Sequence, residues 1–341
     1  MPANLTPEYR AVEAAFRKAH DPRERLEHLR QMLRVIPKHK GTDHLQADIK
    51  RRIKELAEEL DGPQKGGAAR HAPAHVLRPE GAGQIMLVGP PNSGKSSLHA
   101  RLTGSHAHVA PYPFTTLQPQ PGMMPHEDIH FELVDLPAIS PEHPIPWIAA
   151  TFQTADACLL VVDLAEPSCV EQVEAVHAVL REKRVTLTER WPAAGTAGSG
   201  ADDSDDPFAL RLPTLMLANK ADRIADVSAE LDTFRELANV RYPALAISAE
   251  SGNGLAEIGP WLFSHLGVVR VYSKAPGHAP DRHRPFTLRH GETVEHVARL
   301  VHKDVAQSLK YARVWGKSGF GGQQVGREHP LADGDVVELH T

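Results

Sequence analysis

Two cysteines in 341 residues leave no material for a disulfide framework. Cys158 lies in the apolar run 157–162 and Cys169 near a predicted helix start, so both read as plain thiols. No apolar stretch approaches the roughly 20 residues that a helical membrane span requires. Pro2, Pro7 and Glu8 do not suit a signal peptide. A cytoplasmic chain with no membrane attachment is therefore expected. There is no internal repeat. The 21 histidines are scattered, with neither a C-x-x-C pair nor an H-E-x-x-H framework among them. They read as surface residues or satisfied neighbours rather than metal ligands.

The net charge of −5 conceals an uneven distribution. Residues 1–60 carry 13 Lys/Arg against 10 Asp/Glu, and residues 268–341 carry 11 against 8. The middle of the chain is correspondingly acidic, with 14 against 25. The two ends are better suited than the middle to meet RNA, although the excess alone would not argue for it. Length predicts two or three domains. We place a helical hairpin and linker at 1–80, an α/β domain with a mostly parallel sheet at 81–267, and a small domain at 268–341. In the first, Leu26, Leu29, Leu33 and Ile36 form one apolar stripe; Leu45, Ile49, Ile53, Leu56 and Leu60 form a second. Asp21-Pro22 and Thr42-Asp43 suit helix starts. Two amphipathic helices would pair as a hairpin whose tip carries Lys38, His39 and Lys40, either an RNA-phosphate contact or an ordinary solvated loop. The glycine- and proline-rich stretch 61–83 reads as a flexible linker. Residues 191–206, rich in Gly, Ala, Ser and Asp, read as a mobile insertion.

Chemistry enters at Gly89-Pro90-Pro91-Asn92-Ser93-Gly94-Lys95-Ser96. The apolar run 84–88 predicts a buried strand before it. Residues 96–102, Ser97 among them, predict a helix after it, closed by Gly104. A strand, a glycine-rich loop and a helix in that order form a phosphate cradle. Backbone N–H groups from about Asn92 onward point at the anion and the helix dipole adds favourable charge. Lys95 would reach the β/γ-phosphates, and the Ser96 hydroxyl would hold magnesium. The two prolines fall before the needed donors and stiffen the turn.

The base would be read at Asn219-Lys220-Ala221-Asp222, which ends the apolar run 213–218. A carboxylate at Asp222 can accept guanine N1–H and N2–H, a donor pair that adenine lacks. Lys220 would lay its stem along the purine and Asn219 would tether the loop. After the run 242–247, Ser248-Ala249-Glu250 offers a backbone N–H for guanine O6. Alone, an N-K-x-D set could be a turn; downstream of a phosphate loop it indicates GTP. Between the two, the alternating run 129–134 delivers Asp135, a carboxylate for magnesium's surroundings. Thr116, preferred to Thr115, would supply the remaining hydroxyl, the alternative being a polar strand edge.

The order GPPNSGKS, YPFTT, DLPA, NKAD, SAE closely resembles the Obg-type GTPases, and within them the developmentally regulated GTP-binding (DRG) proteins. The segments 269–274, 294–298, 311–316 and 333–339 resemble a TGS domain, a ubiquitin-like β-grasp module, and 36–42 with the following charged helix resembles the DRG helical hairpin. The resemblance implies GTP and GDP as ligands, Mg2+ as cofactor, and a ribosome or RNA partner met through the hairpin and TGS domain, with an accessory protein as a further partner. It also implies a potassium ion at Asn92, supplying positive charge beside the β- and γ-phosphates. Ile139 stands where many GTPases place a water-orienting glutamine, so hydrolysis is expected to be slow. Three departures stand out. Ala138 replaces the usual glycine of DxPG and resists positive φ. The second switch is replaced by the proline-rich 140–146. The chain is also too short between Asp135 and Asn219 to house the extra domain of DRG proteins. The function expected is slow GTP hydrolysis in a nucleotide-dependent switch, with Lys95 and Thr116 nearest the chemistry. The alternatives are a GTP-dependent binding module with negligible hydrolysis and an ATP-using P-loop enzyme. Oligomeric state is left open.

Overall fold

A computed structural model describes residues 6–19, 22–37, 42–61, 80–105, 118–192 and 209–341. The chain divides into two compact units, one helical and N-terminal, the other holding the α/β and β-grasp sheets.

The helical unit has three helices rather than the expected pair: α1 (Pro7–Lys18), α2 (Pro22–Val35) and α3 (Asp43–Asp61). Thr6 starts α1 by accepting the Tyr9 N–H at 3.2 Å, one of the donors that a helix start leaves unpaired. Tyr9, Phe16, Leu29, Met32, Ile36 and Ile49 form the buried core. The two stripes read from sequence belong to α2 and α3. The added helix contributes Tyr9, Val12 and Phe16, an i, i+3, i+7 stripe shorter than the other two. Thr42 enters α3 as expected, with its hydroxyl on the Pro37 carbonyl at 2.5 Å and its own carbonyl taking the Gln46 N–H. The tip residues Lys38, His39 and Lys40 lie outside the described residues.

In the second unit the α/β domain runs β1 (Gln84–Val88), α4 (Lys95–Thr103), β2 (Gln120–His126), β3 (Ile129–Asp135), α5 (Ile148–Thr151), β4 (Ala157–Asp163), α6 (Cys169–Glu182), β5 (Val185–Thr188), β6 (Leu210–Asn219), α7 (Val227–Leu237), β7 (Ala244–Ala246) and α8 (Ile258–His265). The sheet order is β2-β3-β1-β4-β6-β5, with β7 also on β6. Every pairing is parallel except β2 with β3. Both faces are covered, one by the cluster around Val134, Phe152, Leu160, Val173 and Met216, the other by that around Leu87, Leu98, Phe131, Leu159 and Leu262. Burial on both faces explains why β1 and β4 read as continuous apolar runs. It also corrects β3: only His130 is exposed there, and the alternation expected for 129–134 is absent. Because the strands are parallel, β1, β3, β4 and β6 end on one edge, where open α/β sheets bind ligands.

The last residues of the expected linker are part of the sheet. Gly81 bridges Phe131, Ala82 is buried, and the Gly83 carbonyl accepts the Glu132 N–H. The stretch 62–79 and most of the expected insertion at 191–206 lie outside the described residues. Cys158 and Cys169 are free, buried thiols, and burial pushes the Cys169 thiol above its ordinary range. Among the described residues no helix is long and apolar enough to cross a membrane.

The β-grasp part runs β8 (Val268–Ser273), β9 (Asp281–Arg289), α9 (Val294–Val301), α10 (Lys303–Ser308), β10 (Tyr311–Trp315), β11 (Gln323–Val325) and β12 (Asp335–His340), in sheet order β11-β10-β12-β8-β9. Its core of Val269, Val271, Val297, Ala306, Val314 and Val337 lies between the sheet and the helices. Polar clamps join it to the α/β domain. The Arg270 guanidinium bonds Asp333 and reaches across to Glu127 and Asp128 at the β2–β3 turn. Tyr272 donates to Asp128 at 2.6 Å, and Arg289 pairs with Asp156 at 2.8 Å. Burial acts to raise the Asp128 and Asp333 carboxyls, but hydrogen bonds (Tyr272 and Arg270 on Asp128, Arg270 on Asp333) outweigh it and hold both below the usual range.

Candidate functional site

The turn after β1 shows why its glycines cannot be replaced. At Gly89 an added Cβ would stand 2.4 Å from the Val161 carbonyl oxygen, and at Gly94, with φ +91°, it would stand 2.3 Å from Asn219 Nδ2. The loop therefore wraps close to the neighbouring strand ends. Asn92 takes φ 60°, a left-handed conformation that asparagine tolerates. Ser93 braces the turn by donating to the Pro90 carbonyl at 3.0 Å. Helix α4 starts at Lys95 and stops where predicted, at Gly104 with φ 68°.

Lys95 is 6% exposed, and its ammonium donates to the carbonyls of Gly89 and Pro90 at 3.0 and 2.8 Å. Burial lowers its pKa to about 8, opposed by the Asp135 carboxylate. A cation held this dry favours any anion that enters the loop. Ser96 Oγ donates to Asp135 Oδ2 at 2.6 Å, and Asp135 is itself buried. The Ser96 hydroxyl expected to hold magnesium and the Asp135 carboxylate expected in the ion's surroundings therefore touch, on the sheet edge beside the phosphate loop. A hydroxyl and a carboxylate suit a hard cation, so the pair fits the ion. Ser97 follows in the first turn of α4, half-buried. Thr116 and Thr115 lie outside the described residues.

The base-reading side is built on the end of β6. Lys220 takes φ 60° and swings the chain into a short turn carrying Asp222. Asn219, 1% exposed, donates to the Ser93 carbonyl at 2.9 Å and accepts the Ala249 N–H at 3.0 Å. One carboxamide thus ties three loops together. In the Ser248-Ala249-Glu250 stretch expected to offer guanine O6 a backbone N–H, the Ser248 amide is engaged by the Asn253 carbonyl and the Ala249 amide by Asn219. Lys220 Nζ bonds the Asn92 carbonyl at 3.0 Å and Asp163 at 2.6 Å, which stretches its stem over the phosphate loop. Asp222 is exposed, and a hydrogen bond from the buried Ser248 holds its carboxyl below the usual range. Asp222 is thus an exposed anion on the turn that follows β6.

Sequence reasoning missed Asp163. It ends the apolar run of β4 as Asp135 ends that of β3, and this repeated placement was the available signal. Ala138 is buried, and the Ile139 N–H donates to the Gly89 carbonyl at 3.3 Å while its side chain lies in the hydrophobic core. Position 139 therefore faces away from the cleft.

Residues 84–190 match the family described as 50S ribosome-binding GTPase, and residues 269–341 match the TGS domain. Over 93% of its length the chain is 27% identical to developmentally-regulated G-protein 1 of Arabidopsis thaliana, across 90% of that protein. It is 26% identical to an uncharacterized GTP-binding protein of Halobacterium salinarum, over 93% of this chain and 98% of that one. Among solved structures, a GTP binding protein from Pyrococcus horikoshii OT3 is 17% identical with a TM-score of 0.47, over 76% of this chain and 99% of that one. The GTPase family match and the GTP-binding relatives favour guanine over the ATP-using alternative. The phosphate loop, the turn tied to it and the β-grasp module agree with these matches: the chain is a GTP-binding protein with a GTPase module at 84–190 and a TGS domain at 269–341, similar over most of its length to developmentally regulated GTP-binding proteins.

Proposed function

We propose that the chain is a magnesium-dependent GTPase that works as a nucleotide-dependent switch on the ribosome or another RNA-bound assembly. The observation that carries this reading is the Asn219 carboxamide, which joins the phosphate loop at Ser93 to the base loop at Ala249. Gly89, Asn92, Ser93, Gly94, Lys95, Ser96, Ser97 and Ala138 would line the phosphate end; Asn219, Lys220, Asp222, Ser248 and Ala249 would line the guanine end. Magnesium, held by Ser96, Thr116 and Asp135, would supply charge to the β- and γ-phosphate oxygens. Lys95 would leave its two carbonyl partners for those oxygens, where its charge offsets the charge that develops in transfer to water. No side chain in the described pocket stands as a general base, so catalysis would rest on position and electrostatics. Potassium at Asn92 would add a second cation. The +3 balance of each terminal segment supports an RNA-facing role for the helical unit and the TGS domain.

A second reading, a GTP-dependent binding module that scarcely turns over, is favoured by the burial of Ile139, which leaves no side chain at that position to orient water. Phosphate release measured with excess magnesium in potassium and in sodium separates the two. Slow turnover that is faster in potassium supports the switch reading. Tight GTP binding with no release moves the assignment to the binding module, and equal rates in both salts remove the potassium site.

A further inference from the structure

Strand β2 is the outer edge of the α/β sheet, and β3 joins it to β1. β2 and β3 pair without a bulge from Gln120 with Asp135 to His126 with Ile129, a ribbon about 20 Å long. Only residues 132–135 of β3 also pair with β1. Beyond them the ribbon overhangs β1, met there by the short stretch at Gly81 and Ala82. Its inner end lies in the phosphate site, where Asp135 accepts the Ser96 hydroxyl at 2.6 Å. Helix α4 also meets its middle. His99 Nε2 lies 3.2 Å from the Leu133 carbonyl, and Gly122 leaves room for that ring, since an added Cβ would stand 2.7 Å from Nε2.

The outer end is gripped by the TGS domain. Asp128, at the turn, accepts Arg270 at 3.1 Å and the Tyr272 hydroxyl at 2.6 Å, and Glu127 accepts Arg270 as well. Two bonds to Asp333, both 2.9 Å, fix the guanidinium to its own domain in a fork geometry that leaves little play. A second attachment sits inside the sheet. Arg289 pairs with Asp156 at 2.8 Å, and Asp156 accepts the Gln84 N–H at 2.8 Å, at the foot of β1 and β4. One attachment is therefore on the edge ribbon and the other on strands enclosed by neighbours. A shift of the ribbon against β4 turns the TGS domain about Arg289.

The segment after Asp135 offers no comparable route. Ile139 lies in the core, Ile145 and Trp147 pack against the same cluster, and the His143 N–H bonds the Ser140 carbonyl at 3.3 Å. Anything that takes the Ser96 hydroxyl, as magnesium with GTP would, alters the hold on Asp135. The residues that follow Asp135 are anchored, whereas the ribbon that precedes it overhangs. Displacement at Asp135 is therefore passed back along β3 toward the turn.

We propose that the β2–β3 ribbon links nucleotide occupancy to the position of the TGS domain, with Asp128 and Arg270 as the coupling point and Arg289 on Asp156 as the pivot. The proposal names a regulation of the nucleotide site and rests on the switch reading. Coupling of this kind is reciprocal, so loosening the outer end must alter nucleotide binding at the inner one. The test uses the full chain and two shape-preserving variants, Asp128→Asn and Tyr272→Phe. Arg299→Gln, which loses a charge paired with Glu295 on α9, is the control. Amide hydrogen exchange is followed without nucleotide and with a non-hydrolysable GTP analogue plus magnesium. In the unaltered chain and the control, the analogue should change exchange in both 120–135 and 268–274. In the two variants the change should persist in 120–135 and vanish from 268–274. The ratio of GDP to GTP dissociation constants should move about fivefold or more in the variants and stay put in the control. Each variant is judged alone, so if one fails to fold the other is decisive. A response in 268–274 that survives the variants, no response there in the unaltered chain with analogue bound, or an unmoved ratio would each overturn the link and leave the switch reading standing. Failure of the unaltered chain to bind the analogue would defeat the switch reading and the link together.

Discussion

The side-chain amide of Asn219 donates to the carbonyl of Ser93 at 2.9 Å, joining positions 126 residues apart. The same carboxamide accepts from Ala249, so one side chain ties both loops. Asn219→Ala removes both bonds and strands a buried carbonyl, worth about 1–3 kcal/mol, and a half-buried amide, worth less. GTP affinity should fall by about tenfold or more, read by titration with a fluorescent analogue. Affinity equal to the unaltered chain would show that the loops hold their places without this tie.

Asp222 tests the base. Asp222→Asn replaces one acceptor oxygen by a donor, which suits the N1–H and O2 edge of xanthine better than guanine. Preference should move from GTP toward xanthosine triphosphate in a competition assay. An unaltered preference would mean that another group reads the purine.

Lys95 gives the site a proton signature. Burial brings its pKa down to about 8, below its ordinary value of 10.5. The unfolded chain therefore binds more protons between those values, and the free protein should gain stability as pH rises from about 8 toward 10.5. A bound polyphosphate reverses the balance by favouring the ammonium form. GTP binding at a pH above about 8 should take up a proton, seen in calorimetry as a heat that varies with buffer ionisation enthalpy. No variation in that range, or its persistence in Lys95→Met, would count against the assignment.

At position 139 the prediction separates packing from catalysis. Ile139 is 1% exposed within the core. Ile139→Gln buries an amide without partners and should cost about 1–3 kcal/mol of stability, read in thermal unfolding, without raising GTP turnover. Faster hydrolysis in a stable variant would show that this side chain reaches the cleft.

Local chemistry made much of the site readable. Phosphate binding depends on consecutive backbone N–H groups, so the loop and Lys95 appear in eight adjacent letters. Asp135, Asn219 and Asp222 each follow an apolar run, because a buried parallel strand must end where its polar residues meet solvent. What stayed hidden depended on contacts across the chain. The Lys220 to Asp163 pair spans 57 positions, and the Arg270 clamp reaches back 142 to Asp128. Residues 80–83 look like linker by composition, yet they pair with the sheet because Glu132 and Phe131 offer backbone partners.

Residue order alone thus established the strand–loop–helix cradle, the guanine-type turn and the succession of modules, since each rests on near neighbours and on burial periodicity. Folding settled which groups meet: Asn219 reaches Ser93, Ser96 reaches Asp135, and Ile139 turns inward. Those outcomes follow from strand order and register, which long-range packing sets and no short stretch of letters contains.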